Sequence, residues 1–110
     1  GKYDKAESLH RQVLEIIEVT LGDDHPNFSA ALNNLAKRSE EQGKFEEAER
    51  LYRRAMKITE TSLDNDHPEY SVDLNNLAGL LEKQGEYDDA ELLYRRALTI
   101  TEATLGKDHP

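Results

Sequence analysis

The chain has no cysteine, no tryptophan and only three prolines. Without cysteine, disulfide bonds and thiolate metal sites are both excluded. No apolar stretch approaches the roughly 20 residues that a membrane-spanning helix requires, and no signal-peptide pattern opens the sequence. These absences predict a soluble protein, with the cytoplasm as its default location.

Basic residues are outnumbered as well. The chain has 14 Lys and Arg against 23 Asp and Glu, which gives a formal net charge of −9. A field of that sign repels phosphate backbones and anionic lipid surfaces. The charge therefore argues against nucleic-acid and membrane partners and favours neutral or basic protein partners.

The composition also limits the shape of the core. Hydrophobic residues make up 36% of the 110 residues and charged residues 34%. This is too apolar for a disordered tail but light for a globule with one central core. Such a balance suits a single, thin domain in which each layer of helices contacts only its neighbours.

Internal repetition at a spacing of 42 residues is the most informative feature of the sequence. Three motifs recur in register. The first is Gly-Lys-Tyr at residue 1, which returns as Gly-Lys-Phe at 43 and Gly-Glu-Tyr at 85. The second is Asp-His-Pro, which begins at 24, 66 and 108, and the third is Leu-Asn-Asn-Leu-Ala, which begins at 32 and 74. Chance does not give so many registered matches, so the chain is a tandem array.

Each repeat is predicted to contain two helices. Pro26 and Pro68 each suit a first helical position, because the missing proline N–H has no intrahelical partner there. Gly43 and Gly85 suit the turn between the two helices, because glycine adopts the left-handed conformation that ends a helix. The predicted helices cover 2–21, 26–42, 44–63, 68–84 and 86–105, within one array over 1–110.

Apolar and small residues recur at i, i+3 and i+4 along these helices and define their buried faces. In the first full repeat they are Phe28, Leu32, Leu35, Ala36 and Ser39, followed by Phe45, Ala48, Leu51, Tyr52, Ala55 and Ile58. A single glycine joins the two helices, so they should pack as antiparallel neighbours.

These motifs resemble the tetratricopeptide signature. The residues that carry the resemblance are Leu-Ala at 35–36, Gly-Lys-Phe-x-x-Ala at 43–48 and Tyr-x-x-Ala at 52–55. The 42-residue period resembles the subtype found in kinesin light chains and nephrocystin-3-like proteins. The resemblance implies an all-α fold of antiparallel helix pairs, a right-handed superhelix fragment of five helices.

In the tetratricopeptide family the first helices of successive repeats line a concave groove for a peptide or a partner helix. At about 100° per residue, seven residues of these helices lie away from the buried face. The predicted groove residues are Asn33, Asn34, Lys37, Glu41, Asn75, Asn76 and Lys83. Asparagine amides can pair with a peptide backbone, while lysine and glutamate can meet charged side chains.

Other interpretations of these residues stay open. Asn33 and Asn75 lie nearer the core edge, where they could instead bond to neighbouring helices and fix the stacking. Lys37, Glu41 and Lys83 could simply be solvated. Gly79 stands where Lys37 stands one repeat earlier, so a carboxylate-binding set like that of some family members is incomplete.

No catalytic motif accompanies the repeats. The sequence lacks a phosphate-binding glycine loop and a nucleophile beside a base, so neither an enzyme nor a cofactor site is expected. The histidines at 25, 67 and 109 belong to separate repeats, and we interpret them as turn and cap residues rather than metal ligands. The recurring arginines lie among glutamates, as in a solvated helix face.

The sequence therefore predicts a non-catalytic scaffold or adaptor. One alternative is a structural spacer, in which the repeats stack end to end and form a homo-oligomer. Another is a regulatory segment of a larger signalling protein. The chain begins inside one repeat and stops where another should start, so we interpret it as an excised segment whose exposed ends could self-associate.

Overall fold

A computed structural model describes residues 26–62 and 67–108, together with 5, 8–9, 11–12 and 15–16. The described residues form an all-helical fold without strands. Four helices are defined: α1 (Pro26–Glu41), α2 (Phe45–Ser62), α3 (Pro68–Lys83) and α4 (Tyr87–Asp108). We call α1 and α2 the first repeat, and α3 and α4 the second repeat.

The predicted and observed helices have the same starting prolines, at Pro26 and Pro68. The largest difference is at the end of α4, which runs to Asp108 instead of 105. Gly106 lies inside this last turn, where one glycine costs a helix only about 1 kcal/mol. The predicted helix over 2–21 falls largely outside the described residues, and those described within it are helical.

Glycine ends the first helix of each repeat. Gly43 has a φ of 78° and Gly85 a φ of 82°, the left-handed region that side chains disfavour. After α1 the backbone N–H of Lys44 donates to the carbonyl of Ser39 at 2.9 Å, which closes a Schellman turn. The reversal makes the two helices of each repeat antiparallel neighbours.

His67 caps α3. Its backbone is extended, with φ −69° and ψ 137°, and its Nδ1 accepts the backbone N–H of Glu69 at 3.1 Å. Pro68 follows at the first helical position, as expected from its missing donor. The equivalent histidines at 25 and 109 lie outside the described residues.

The core follows the predicted faces and continues across the boundary between the repeats. Phe28, Leu32 and Tyr52 of the first repeat belong to the same buried cluster as Leu77 and Leu80 of α3. Several alanines in this cluster have no exposed surface, so the helix backbones approach closely. Burial of each large apolar side chain stabilises the fold by about 1.5–3 kcal/mol.

Candidate partner-binding groove

A polar cavity of about 360 Å³ lies between α1 and α3. Its lining residues are Lys37, Glu40, Glu41, Tyr52, Asn75, Asn76, Gly79 and Lys83. Five of the seven predicted groove residues therefore lie together here: Lys37, Glu41, Asn75, Asn76 and Lys83. The 42-residue repeat brings them together because it places α1 and α3 side by side with the same faces exposed.

Glu40 is the central charged group of the cavity. The Tyr52 hydroxyl donates to Glu40 Oε1 at 3.0 Å, and Lys83 Nζ pairs with Oε2. Burial, reinforced by the Glu40 charge, raises the pKa of Tyr52 well above its ordinary range. The hydrogen bond to Glu40 also raises the pKa of Lys83. These bonds join α1, α2 and α3 and use one hydrogen-bond position on each Glu40 oxygen.

Asn76 has an unused hydrogen-bond donor at the same cavity. Its Nδ2 is buried and has no hydrogen-bond partner among the described residues. An unpaired buried donor costs about 1–3 kcal/mol, and an acceptor recovers that energy once the Asn76 side chain turns to bring Nδ2 to the cavity surface. Asn76 is the lining residue best suited to hold a carbonyl or carboxylate oxygen.

Lys37 and Glu41 form the α1 rim of the cavity. Both side chains are exposed and carry opposite charges one helical turn apart. Neither makes an ion pair with another described residue. The rim can therefore meet charged groups of either sign.

The remaining two predicted groove residues lie outside this cavity. Asn34 is exposed on α1 but does not line it. Asn33 is only 6% exposed, and its Nδ2 donates to Oδ1 of Asp73 on α3 at 2.7 Å. The amide of Asn33 thus joins two helices, because α3 packs directly over its side of α1.

Asp73 is the centre of a buried polar network that our sequence reasoning missed. Thr59 Oγ1 donates to Asp73 Oδ2 at 2.5 Å, and Ser29 Oγ lies 3.1 Å from Thr59 Oγ1. Burial raises the pKa of Asp73, while the hydrogen bonds from Thr59 and Asn33 oppose that rise. The network ties α3 to both helices of the first repeat.

Two sequence signals could have revealed this network. Serine recurs at 29 and 71 and threonine at 59 and 101, both at the 42-residue spacing. Asp73 also breaks the repeat, because Ala31 has its position one repeat earlier, and it directly precedes the buried Leu74. A carboxylate inserted into an otherwise apolar pattern indicates a buried polar partner.

The recurring arginines are mostly on solvated surfaces. Arg53 pairs with Glu49 at 2.9 Å and Arg95 with Glu91 at 2.7 Å, each across one helical turn. Such exposed pairs contribute about 0.3–0.5 kcal/mol. Arg96 also lies over the Tyr70 ring at 5.5 Å, a stacking contact that joins the two helices of the second repeat.

The described residues contain neither a metal-binding cluster nor a membrane-spanning helix. No group of three or more His, Cys, Asp or Glu side chains there is close enough to hold a metal ion. Nor is any helix in the described part of the chain long and apolar enough to cross a membrane. A cytoplasmic location stays a prediction.

Comparison with known protein families identifies the class. A tetratricopeptide repeat family model matches residues 1–61 and 40–103 in two overlapping placements. The chain therefore belongs to the tetratricopeptide repeat family. Repeats of this family generally mediate protein–protein interactions, and folds of this kind are generally non-enzymatic.

Solved structures narrow the similarity to one subtype. The chain is similar to the nearly identical TPR-like repeats of a kinesin-light-chain-like protein from Podosopora anserina, with 28% identity and a TM-score of 0.85. A Gln-to-Met variant of that protein gives the same values. In each case the match covers 100% of this chain and 52% of the other, so this chain spans about half the length of these relatives. The search of curated proteins gives no match.

Proposed function

We propose that this chain is a non-catalytic scaffold or adaptor module that binds a peptide or helix segment in the cavity between α1 and α3. The observation that supports this best is the buried, unpartnered Nδ2 of Asn76 at the wall of that cavity. A ligand acceptor is the group that such a donor lacks. Family membership supports the same class of function.

The lining residues indicate how a segment would be held. Asn76 Nδ2 donates to a backbone carbonyl or a carboxylate, and the neighbouring exposed Asn75 amide adds a second polar contact. Lys37 and Glu41 select charged side chains at the rim. Affinity comes from several weak contacts on a surface that Lys83 and Glu40 hold in place by their ion pair.

The partner is a protein rather than a nucleic acid or a lipid surface. The net charge of −9 opposes binding to polyanions. Within the cavity, however, Lys37 and Lys83 roughly balance Glu40 and Glu41. We therefore propose a neutral or mildly charged segment as the ligand, and not a strongly basic one.

The groove belongs to a larger proposed architecture, a right-handed superhelix of five helices. Arg11 supports a helix before α1, because its guanidinium pairs with Glu47 of α2. Arg11 and Glu15 also line a small cavity against Phe28 and Leu32. Both contacts fit a helix over 2–21 that packs on the first repeat as α2 packs on the second.

A structural role is the second candidate. It is favoured by the exposed apolar residues Leu92, Leu98 and Leu105 on α4. In this version the repeats stack end to end, or contact another part of a larger chain, and the groove is not required. Association that depends on protein concentration and is unaffected by groove substitutions would favour this role.

The test compares the parent with Asn76→Leu, which removes the donor at similar volume. The matched control is Glu102→Ala on the exposed surface of α4. Peptides selected on the parent from a random phage-displayed library are titrated against all three proteins, after thermal melts have shown that each protein is folded at the temperature used. We expect Asn76→Leu to weaken binding about 3- to 10-fold and Glu102→Ala to leave it unchanged. Equal binding by all three proteins would refute the groove.

A further inference from the structure

The surface of the first repeat on which α3 packs has a counterpart in the second repeat. We call each of these two surfaces a stacking face. The stacking face of the first repeat is covered by α3. In the first repeat Tyr52 is 2% exposed. Its equivalent Tyr94 is 37% exposed, and the nearby Tyr87 and Leu98 are 66% and 57% exposed. The second stacking face is therefore apolar and open within the described residues.

A carboxylate organises the covered stacking face. Asp73 of α3 has no exposed surface and accepts hydrogen bonds from Asn33 and Thr59. Ser29 contacts Thr59 Oγ1 and donates a hydrogen bond to the Ala55 carbonyl at 3.1 Å. We call Ser29, Asn33 and Thr59 the receiving group of the first repeat, because together they hold one aspartate of the next helix.

The same receiving group recurs in the second repeat. Ser71 Oγ lies 3.1 Å from Thr101 Oγ1, the separation found between Ser29 and Thr59. Ser71 also donates to the Ala97 carbonyl at 3.3 Å, as Ser29 does to that of Ala55. Asn75 follows Ser71 by four residues, as Asn33 follows Ser29. Ser71 is 6% exposed, whereas Asn75 and Thr101 are exposed.

We propose that Ser71, Asn75 and Thr101 form a carboxylate-binding site that selects the helix docking on the second stacking face. The occupant is the first helix of a further tetratricopeptide repeat, with an aspartate at the position that Asp73 has in α3. Leucines four, seven and eight residues after that aspartate match Leu77, Leu80 and Leu81, which pack on the first repeat. They cover Tyr87, Tyr94 and Leu98.

Hydrogen-bond chemistry explains why the site is selective for a carboxylate. Docking removes water from the Asn75 amide and the Thr101 hydroxyl, and each then needs an acceptor. Thr101 Oγ1 now donates to the Ala97 carbonyl at 2.9 Å, but Ser71 can satisfy that carbonyl alone. The Thr101 proton can then turn to the incoming carboxylate, as the Thr59 proton does to Asp73. With an alanine the Thr101 proton would stay on the Ala97 carbonyl, and the Asn75 amide would be buried without an acceptor.

The same reasoning disfavours a second copy of this chain as the occupant. Its α3 aspartate is already buried in its own first repeat. Its α1 has Ala31 at the corresponding position, so it would bring no carboxylate to the site. The site therefore selects for a helix of α3 type and against one of α1 type.

The test uses the full chain and a synthetic probe. The probe is a peptide with the sequence of 67–84, kept helical by a lactam bridge on its exposed face because short isolated helices are marginal. A matched peptide has alanine in place of its aspartate. Each is titrated into isotope-labelled protein, and the Asn75 side-chain amide and the Thr101 signals are followed by NMR.

We expect the aspartate peptide to shift both signals and to bind at least about tenfold more tightly than the alanine peptide. The Thr101→Val variant should abolish most of this preference while retaining the apolar contacts. Equal binding of the two peptides, or no binding of either helical peptide, would overturn the proposal. Shifts of Lys37, Asn75 and Asn76 without a shift of Thr101 would place the peptide in the groove, which would support the proposed function and refute this site. Self-association that light scattering detects in the parent but not in a Leu98→Asp variant would assign this face to a second copy and overturn the proposal.

Discussion

The first and second repeats carry nearly the same residues at the same spacing, yet equivalent residues have different surroundings. Tyr52 and Tyr94 each donate a hydroxyl to a glutamate of the preceding helix, Glu40 at 3.0 Å and Glu82 at 3.4 Å. Tyr52 lies beneath α3 and is buried, whereas Tyr94 is exposed. The difference shows that the next helix, and not the repeat itself, determines the burial of a stacking-face residue.

The ionisation of the two tyrosines differs for the same reason. Burial is the main cause that raises the pKa of each, followed by the charge of the neighbouring glutamate. The increase is large for Tyr52, whose phenolate would lose most of its hydration. One residue type at one repeat position therefore has two electrostatic environments.

Truncation of the two tyrosines should give the largest contrast. We expect Tyr52→Ala to lower the free energy of unfolding by about 3–5 kcal/mol, because it empties a buried aromatic site and removes a hydrogen bond. Tyr94→Ala should cost less than about half as much, since part of that ring is already hydrated. Urea denaturation of both variants measures the contrast. Equal losses would mean that Tyr94 is covered in solution.

The two junction asparagines provide a second contrast. Asn33→Ala removes a donor to the buried Asp73 and should cost about 1–3 kcal/mol. Asn75→Ala changes an exposed residue and should stay within about 0.5 kcal/mol. Chemical denaturation under one set of conditions compares them. A large loss for Asn75→Ala would show that its stacking face is already occupied, for example by a second molecule.

The pH dependence of stability should reveal the covered junction. Burial raises the folded-state pKa of Asp73 above its ordinary value of 3.8, so the folded state holds this proton more tightly than the unfolded state. The contribution of Asp73 to stability therefore falls as pH rises from about 3.8 through the raised pKa.

Asp73→Asn cannot ionise and should lack this decline. The measurement is the difference in unfolding free energy between the parent and Asp73→Asn, followed from acidic to neutral pH. A difference that moves in favour of the parent as pH rises would contradict the assignment. Such a result would mean that the Asn33 and Thr59 hydrogen bonds outweigh the loss of hydration.

The smallest expected effect concerns Gly79, the counterpart of Lys37 in the second repeat. A Cβ there would lie 3.7 Å from Tyr94 Oη, an ordinary contact, so Gly79→Ala should raise the unfolding free energy by about 0.5–1 kcal/mol. Gly85→Ala, at a φ of 82°, should instead lower it by about 1 kcal/mol. Thermal melts of both variants test the opposite signs. A lower melting temperature for Gly79→Ala would mean that the packing around Tyr94 does not tolerate a Cβ at residue 79.

Much of the fold could be predicted because its signals are local. Pro26 and Pro68 begin helices for reasons of backbone chemistry, and Gly43 and Gly85 end them through a conformation that glycine favours. The buried faces follow from helical periodicity alone. The family follows from the order of these motifs, and the family match agrees with it.

The candidate site was only partly predictable. Helical angle placed Lys37, Glu41 and Asn76 away from the core, and all three line the cavity. The helical angle predicted the same position near the core edge for Asn33 and Asn75, although Asn33 is buried and Asn75 is exposed. Their difference depends on whether another helix packs over them, which a pattern within one repeat does not contain.

The amino-acid sequence alone is enough to establish the repeat, the class of fold, the helix starts and turns, and the negative charge that opposes polyanion binding. These properties depend on residues close together in the chain or on composition, so no tertiary information is needed. Three features depend on how the helices pack: Asp73 joins Asn33 and Thr59, Glu40 is held by Tyr52 and Lys83, and the second stacking face is open within the described residues. Burial, desolvation and hydrogen bonds between helices depend on which surfaces meet.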